Sequence, residues 1–505
     1  MSKQNSIVCK ASERIAPHPL FWVLIVLLAL RLLQLINGDL ALFYDEAYYH
    51  FWAQNPDWGY YSKPPMVAWI IIATTQFFGH TPEWAVKIGA ALLYFATALV
   101  IYDLGRRLFD NCTGWYAALI FYSSPLVSFN SLFITTDAPL LLFWAITLWL
   151  AFIALQSQKL GWWILLGIAG GFGLLSKYTM GALAVAILLF LLSSKTHRQQ
   201  LWQPGIWIAA STAALVFLPN ILWNYQHDFI SLQHTSEISH LDRGLFNPDK
   251  LLEFIAGQFF VFGPIAFWLF LRVLMKKPES ANHRLLMFAA FAILGVISLQ
   301  ALLARAHVNW AAATYVSGSL LVAYVVVHHG LKHVFKWLLG INILLMTLFY
   351  FYQPILSAVG VEASKKNDPY HRVTGWREVT EKLTTLVPQP EKFVWVSESR
   401  KLLSYAHYYL SDFETTNGLE VRSFNPDEHI SDQYELLWNL ANSTKNAFIF
   451  IAEKPKDLRG CFGSIEDLGK VSHQTYATLE RSIYVYRLHD FQGYENCYQR
   501  ELNPR

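Results

Sequence analysis

The first 359 residues alternate between apolar runs of roughly 20 residues and short polar segments. Each apolar run is bounded by charges, by proline or by a polar cluster, which is the pattern of a chain that crosses a membrane repeatedly. The pattern predicts about eleven spanning helices, near residues 20–37, 84–105, 114–131, 138–155, 161–176, 178–193, 205–222, 255–273, 285–304, 308–327 and 334–353.

The pattern changes after residue 360, where short apolar strands alternate with amphipathic helices. Strands are predicted at 393–397, 447–452 and 482–487, and helices at 375–386, 401–410 and 434–443. This alternation predicts a small α/β fold. The expected organisation is therefore a transmembrane domain over residues 1–359, followed by a soluble domain over residues 360–505 that serves as a cap or acceptor platform.

Composition agrees with this division. Hydrophobic residues make up 54% of the 505-residue chain and charged residues only 15%, whereas soluble chains carry about 25% charge. Residues 1–359 hold 21 Lys and Arg with 15 Asp and Glu, and residues 360–505 hold 18 and 21. The net charge of +3 leaves no basic stripe, which excludes nucleic acid as the main partner.

Charge placement predicts the orientation of the chain. With the N-terminus in the cytoplasm, 14 Lys and Arg fall in short cytoplasmic segments and 6 on the opposite side, as the positive-inside rule favours. Eleven spans then place the C-terminal domain outside the cytoplasm. Cys461 and Cys497 both lie in that domain, where they either form a disulfide or remain two free thiols.

The first outer loop, about residues 38–83, carries the most suggestive chemistry. Asp45 and Glu46 are adjacent carboxylates among aromatic residues that include Tyr48 and Tyr61, and Lys63 precedes two prolines. A carboxylate can deprotonate a hydroxyl, and a lysine is a point charge for phosphate oxygens. The alternative is an ordinary solvated loop with interfacial aromatic residues.

Further polar residues fall on the same predicted side. Asp137 opens the fourth predicted span, where it either caps the helix or joins the site. Lys177 follows a glycine-rich stretch that we interpret as close helix packing, and the alternative for this lysine is snorkelling. Arg305 lies in a later outer turn and offers a guanidinium fork for phosphate.

Histidines add candidate cavity residues. His227, His234 and His240 lie in one long outer segment, and His307 lies beside Arg305. The spacings of 7 and 6 residues match no familiar zinc ligand set, so zinc is not expected there.

These segments, in this order, resemble the membrane glycosyltransferases of the GT-C class that use polyprenyl-phosphate sugars. The resemblance is to the bacterial branch of the aminoarabinose transferase and protein O-mannosyltransferase superfamily and covers about residues 20–355. It rests on a set of short motifs: Asp45-Glu46, Ser62-Lys63-Pro64, Asp137 before an apolar helix, Gly171 to Lys177, Trp223 to His227, and Asn309-Trp310.

The resemblance implies a mostly α, polytopic GT-C helix bundle with a C-terminal extracytoplasmic α/β domain. It implies an inverting glycosyltransferase of the bacterial inner membrane that moves a sugar from a polyprenyl (undecaprenyl) phosphate donor to an acceptor at the periplasmic face. Lipid A, another glycolipid or a protein hydroxyl would be that acceptor.

The resemblance also distributes roles among the candidates. Asp45 is the implied general base, with Glu46 and Asp137 in the same acidic cavity. Lys63, Arg305 and Lys177 would hold the donor phosphate. Residues implied to line the substrate cavity are Tyr48, Tyr61, His227, His234 and His307. No cofactor is required, although a divalent metal at Asp45 and Asp137 is allowed.

A transporter or flippase for lipid-linked sugars is the competing hypothesis. It predicts charges near the bilayer midplane, broken helices and a repeat between two halves. In this sequence the acids lie at the outer lip and no repeat is present, so the sequence favours the transferase.

Overall fold

The structure, a computed structural model, describes residues 19–238, 246–413 and 418–497. The α-helices are α1 (Pro19–Asn37), α2 (Tyr44–Gln54), α3 (Met66–Phe78), α4 (Glu83–Leu108), α5 (Asn111–Ser123), α6 (Pro125–Asn130), α7 (Asp137–Ser157), α8 (Leu160–Ser176), α9 (Gly181–Leu192), α10 (Lys195–Arg198), α11 (Pro204–Gln226), α12 (Ile230–Glu237), α13 (Pro248–Phe262), α14 (Pro264–Leu274), α15 (Ala281–Leu303), α16 (Thr314–His328), α17 (Lys332–Tyr350), α18 (Tyr352–Ala358), α19 (Trp376–Glu381), α20 (Arg400–Tyr409) and α21 (Gln433–Leu437). The strands are β1 (Val394–Ser397), β2 (Val421–Ser423), β3 (Ala447–Ala452), β4 (Phe462–Tyr476) and β5 (Leu479–Phe491).

The described residues form two compact units. The helical unit contains residues 19–38, 63–67 and 87–351, and the α/β unit contains residues 39–62, 68–86 and 352–497. Most of the first outer loop therefore groups with the C-terminal segment. This differs from a simple division at residue 359, because long-range pairing of α2 with α20 is invisible to local sequence patterns.

The helical unit is built from long apolar helices. Among the described residues, six helices are long and apolar enough to cross a membrane, or eight if each of two bent pairs is one span. The glycine-rich end of α8 packs against α11, as the sequence predicts: a Cβ at Gly171 would lie only 2.6 Å from Val216 Cβ. The number of eleven spans stays a prediction.

Two helix pairs in this unit are sharply bent. The predicted span over 255–273 is not one straight helix, because α13 and α14 meet at an angle of 117°. Whether the pair crosses the membrane as one broken span stays a prediction. The break falls at Gly263, whose φ of +94° suits glycine, and Pro264 follows with no amide to donate. The segment after Tyr178 bends by 118° between Leu192 and Lys195.

The first outer loop contains more helix than the sequence predicts. It contains α2 and the apolar α3, whose 13 residues were not predicted as a helix. The run in α3 is too short for a straight span, which explains why a search for 20-residue patterns passes over it.

The α/β unit is organised around a five-stranded sheet with the order β2-β1-β3-β5-β4. Strand β1 pairs in parallel with β2 and β3, and β5 pairs antiparallel with β3 and β4. The predicted strand at 447–452 coincides with β3, and those at 393–397 and 482–487 fall on β1 and β5. The small α/β fold is confirmed.

The sequence missed the two edge strands of this sheet. Strand β2 has only three residues, and β4 is mostly exposed and polar, so neither shows the buried apolar run that predicts a strand. The predicted helix over 434–443 is divided into α21 and a 3₁₀ turn at Leu440–Asn442. Cys461 and Cys497 form a disulfide that closes the end of this unit.

Candidate active site

Asp45 lies in the α/β unit, one residue after the start of α2. Its side chain is 32% exposed, and its Oδ1 accepts a hydrogen bond from a guanidinium nitrogen of Arg400 at 3.3 Å. An acid that is partly open to solvent and held in one orientation meets the first requirement for a general base, which is access to the hydroxyl that it deprotonates.

Arg400 is the site residue that sequence reasoning missed. It is the first residue of α20, where Ser399 caps the helix, and its guanidinium lies over the rings of Tyr44 and Tyr48 at 5.5 and 5.4 Å. Burial opposes its charge, but Asp45 and the tyrosine hydroxyls outweigh burial and raise the pKa of Arg400 above its usual value. Arg400 is therefore a permanent cation beside Asp45.

Three predicted site residues around Asp45 have structural partners. The Glu46 carboxylate is 1% exposed and accepts a hydrogen bond from the Phe43 amide at 2.8 Å, as the third residue of a helix often does. The Tyr48 hydroxyl accepts a hydrogen bond from the Gln433 amide, and the Tyr61 amide donates to the Gln433 side chain. These contacts anchor the loop that carries Asp45 to α21.

Two buried histidines lie within and beside α2. His50 and His407 are almost fully buried, and both rings contact Phe413. Burial lowers the pKa of His407 to about 4, and burial also lowers the pKa of His50 well below its usual value. Both side chains are thus neutral near pH 7.

Asp137 forms a second polar centre, in the helical unit. It is 2% exposed at the start of α7, and its carboxylate accepts hydrogen bonds from Lys177 Nζ at 2.7 Å and Asn309 Nδ2 at 2.9 Å. Lys177 follows the last residue of α8 and its side chain is only 15% exposed, so it pairs with Asp137 rather than snorkelling. The structure thus brings two of the predicted site residues into one ion pair.

A buried amide network continues from this centre. The Tyr178 hydroxyl donates to Asn220 Oδ1 at 3.3 Å, and Asn224 Nδ2 donates to the Tyr178 hydroxyl at 3.3 Å and to the Asn220 carbonyl at 3.0 Å. Polar side chains buried at this depth are costly unless they are paired. The network fixes the segment that immediately follows Lys177.

The other predicted cations and histidines lie in the helical unit at more exposed positions. Lys63 is partly exposed just before α3. Arg305 and His307 are exposed neighbours, 3.4 Å apart between a guanidinium nitrogen and Nε2. His227 stacks on Trp223 with ring centroids 4.1 Å apart, and His234 lies on α12. His240 lies outside the described residues.

Two of the three candidate acids have a cationic partner. Asp45 pairs with Arg400 and Asp137 with Lys177. Over the three described ranges, there is no group of three or more His, Cys, Asp or Glu that could hold a metal ion. Carboxylates of this kind can transfer protons, and fixed cations can stabilise developing negative charge.

Sequence comparison adds independent information. Residues 62–223 match the family model described as dolichyl-phosphate-mannose-protein mannosyltransferase. The lipid A galacturonosyltransferase RgtD of Rhizobium johnstonii is 30% identical over 448 residues, which are 84% of this chain and 90% of that protein. An undecaprenyl phosphate-α-4-amino-4-deoxy-L-arabinose arabinosyl transferase of Proteus mirabilis is 27% identical over 194 residues, covering 36% and 34% of the two chains.

The fold has a counterpart among solved structures. The crystal structure of ArnT from Cupriavidus metallidurans bound to undecaprenyl phosphate superposes with a TM-score of 0.62 at 12% identity, over 92% of this chain and 98% of that one. The fold is therefore that of a GT-C membrane protein. The chain belongs to the family of bacterial multi-pass membrane glycosyltransferases that includes the Rhizobium lipid A galacturonosyltransferase.

Proposed function

We propose that this protein transfers a sugar from a polyprenyl-phosphate donor to a hydroxyl group of an envelope glycolipid of the lipid A type. The observation that carries the proposal is Asp45, an accessible carboxylate held by Arg400, in a chain of this family. The relative that is similar over most of this chain is named a lipid A galacturonosyltransferase, which supports a glycolipid rather than a protein as the acceptor.

The proposed reaction is a single displacement. Asp45 takes the proton of the acceptor hydroxyl, and the oxygen of that hydroxyl attacks the anomeric carbon of the sugar. The bond between that carbon and the phosphate oxygen breaks, and the polyprenyl phosphate leaves with the electron pair. Attack from the face opposite the leaving group inverts the anomeric configuration. Glu46 acts as a helix cap, and Arg400 orients Asp45.

The leaving phosphate requires cations. We assign this role to Lys63 and Arg305, which are the predicted phosphate-binding residues with accessible side chains. Lys177 is occupied by Asp137, so in this proposal the Asp137–Lys177–Asn309 cluster shapes the cavity wall and does not bind phosphate directly.

Replacing Lys63 by alanine tests the donor site. Loss of one charge-assisted contact to phosphate is expected to raise the KM for the donor about tenfold or more, with little change in the KM for the acceptor. Lys159→Ala is the matched control, because Lys159 is exposed at the start of α8. A Lys63→Ala enzyme with the donor KM of the wild type would remove the phosphate role.

We propose that the reaction requires no metal ion. The support is that the two acids considered as metal ligands already have cationic partners. Arg400 forms an ion pair with Asp45, and Lys177 forms one with Asp137. Initial rates of sugar transfer are expected to be equal with and without EDTA. A loss of rate in EDTA that added Mg²⁺ or Mn²⁺ restores would contradict this proposal.

We further propose that the N-terminus lies in the cytoplasm and the α/β unit in the periplasm of an inner-membrane protein. The distribution of Lys and Arg supports this orientation. A cysteine introduced at exposed Lys470 should react with a membrane-impermeant maleimide in intact spheroplasts, and protection there would reverse the assignment.

The function itself is tested with purified protein in lipid nanodiscs. Undecaprenyl-phosphate sugars are supplied with lipid A as acceptor, and the product lipid is analysed by mass spectrometry. The expected result is a mass increase of lipid A by one sugar residue. Movement of labelled donor lipid across vesicle membranes without a glycosylated product would favour the transporter hypothesis instead.

A further inference from the structure

The α/β unit contains a cleft that the proposed chemistry at Asp45 does not explain. It has a volume of about 680 Å³, within the range of about 300–1,000 Å³ usual for small-molecule sites. Its walls come from residues 397–401 after β1, residues 452–456 after β3, residues 431–432 before α21, and Tyr44 at the start of α2.

The position of this cleft in the sheet is one that commonly binds ligands. Strands β2 and β3 flank β1 on opposite sides, so the connection from β1 to β2 and the connection from β2 to β3 run in opposite directions. The crevice between β1 and β3, at the carboxyl ends of parallel strands, is therefore a topological switch point. The loops that follow these two strands run in different directions and leave a crevice between them.

The side chains that line the cleft are mainly charged. Four of them are basic and three are acidic: Arg400, Lys401, Lys454 and Lys456 against Glu398, Asp432 and Glu453. Asp432 is engaged in capping α21, through hydrogen bonds from the amides of residues 434 and 435 at 2.7 and 3.0 Å. Counting all seven charged side chains, the lining has one more basic than acidic group.

The lysines on the two walls are paired but accessible. Lys401 Nζ lies 2.8 Å from Glu453, and Lys456 forms an ion pair with Glu398. Lys456 and Glu398 remain 39% and 31% exposed. An ammonium group has three donors and a carboxylate about four acceptor positions, so each pair can bind further hydroxyl or phosphate groups.

The cleft shares residues with the surroundings of the candidate base. Arg400 lines it and also binds Asp45 at 3.3 Å, and Tyr44, which precedes Asp45, lines it as well. A ligand in the cleft that contacts Arg400 would therefore lie one side chain away from Asp45.

We propose that this cleft binds the phosphorylated saccharide head group of the acceptor. The lysine–glutamate pairs would bind sugar hydroxyls, Lys456 and Lys454 the phosphate, and Tyr44 the face of a sugar ring. This inference rests on the proposed function, because it assigns the acceptor of that reaction to a binding surface in the α/β unit.

Direct binding tests the inference without any transfer reaction. The full-length protein in nanodiscs is titrated with glucose 6-phosphate, with glucose and with inorganic phosphate, and binding is followed by saturation-transfer NMR. Glucose 6-phosphate is expected to bind more tightly than either fragment. Lys456→Gln should weaken its binding about tenfold, and Lys456→Arg should retain it.

Lys470→Gln is the matched control. Lys470 also pairs with a glutamate, Glu480, at similar exposure, but it lies on β4 outside the cleft. The Lys470→Gln variant should bind glucose 6-phosphate with the affinity of the wild type. Binding of glucose 6-phosphate to Lys456→Gln with wild-type affinity overturns the proposal, as does equal binding of inorganic phosphate, which would indicate an anion site without saccharide recognition.

A kinetic measurement separates this inference from the proposed function. With lipid A as acceptor, Lys456→Gln should raise the acceptor KM about tenfold while the donor KM stays unchanged. If the wild type transfers no sugar, the proposed function fails, whereas the NMR titration still decides whether the cleft binds phosphorylated sugars. If transfer occurs and Lys456→Gln changes only the donor KM, the acceptor site is wrong.

Discussion

Asp45→Asn is expected to reduce kcat for sugar transfer by about 10²–10⁴-fold, which is the contribution typical of a general base. The amide has the size of the carboxylate and still accepts a hydrogen bond from Arg400, but it cannot take the acceptor proton. Because both side chains of the ion pair are about one-third exposed, the loss of charge should cost little stability. Rates are measured with saturating donor and acceptor, and folding by thermal unfolding.

Asp57→Asn is the control for this experiment. Asp57 lies in the same loop, and its carboxylate accepts a hydrogen bond from the Trp58 amide, which asparagine can also do. Its rate should remain within about twofold of the wild type, since a substitution away from the reacting atoms usually has small effects. If Asp45→Asn transfers sugar as fast as Asp57→Asn, Asp45 is not the base.

Lys177→Met is expected to have the largest effect on stability. Removal of the ammonium group leaves the Asp137 carboxylate, 2% exposed, with Asn309 as its remaining side-chain partner among those described here. Breaking a buried ion pair in this way costs about 3–5 kcal/mol. The unfolding temperature in nanodiscs should therefore fall well below that of Lys159→Met, in which the lost lysine is exposed.

The double variant Asp137→Asn/Lys177→Met decides what the pair does. Replacing both charges removes the uncompensated carboxylate, so most of the lost stability should return. Asn309 can still bind the amide oxygen at position 137. Recovery of folding together with near-normal transfer is expected if the pair shapes the cavity wall. Recovery of folding without transfer would instead place Asp137 in the chemistry.

Local patterns in the sequence determined much of the architecture. Helices α4 and α7 are single apolar runs long enough to span a membrane, and β3 is a buried apolar strand between polar turns. In each case the information lies within the segment, because burial in lipid or on both faces of a sheet requires a continuous apolar run. Asp45 and Asp137 were also recognisable, as acids next to apolar helices.

Other features could not be predicted from local patterns of apolar and polar residues. The chain bends sharply at Gly263, although the surrounding residues are uniformly apolar. The helix cap formed by Glu46 is local and was recoverable from its position three residues after Phe43. Its carboxylate was instead interpreted as catalytic because it adjoins Asp45.

The sequence alone therefore determined the class of protein and several of its long apolar helices, and it drew attention to the acids. The tertiary structure decided which side chains those acids meet. Arg400 is 355 positions from Asp45 and Asn309 is 172 positions from Asp137, and no periodicity links such distant residues. Packing of α2 on α20 brings Asp45 to Arg400, and packing of α7 on α8 brings Asp137 to Lys177. At Asp137, which is 2% exposed, an unpaired carboxylate would be costly.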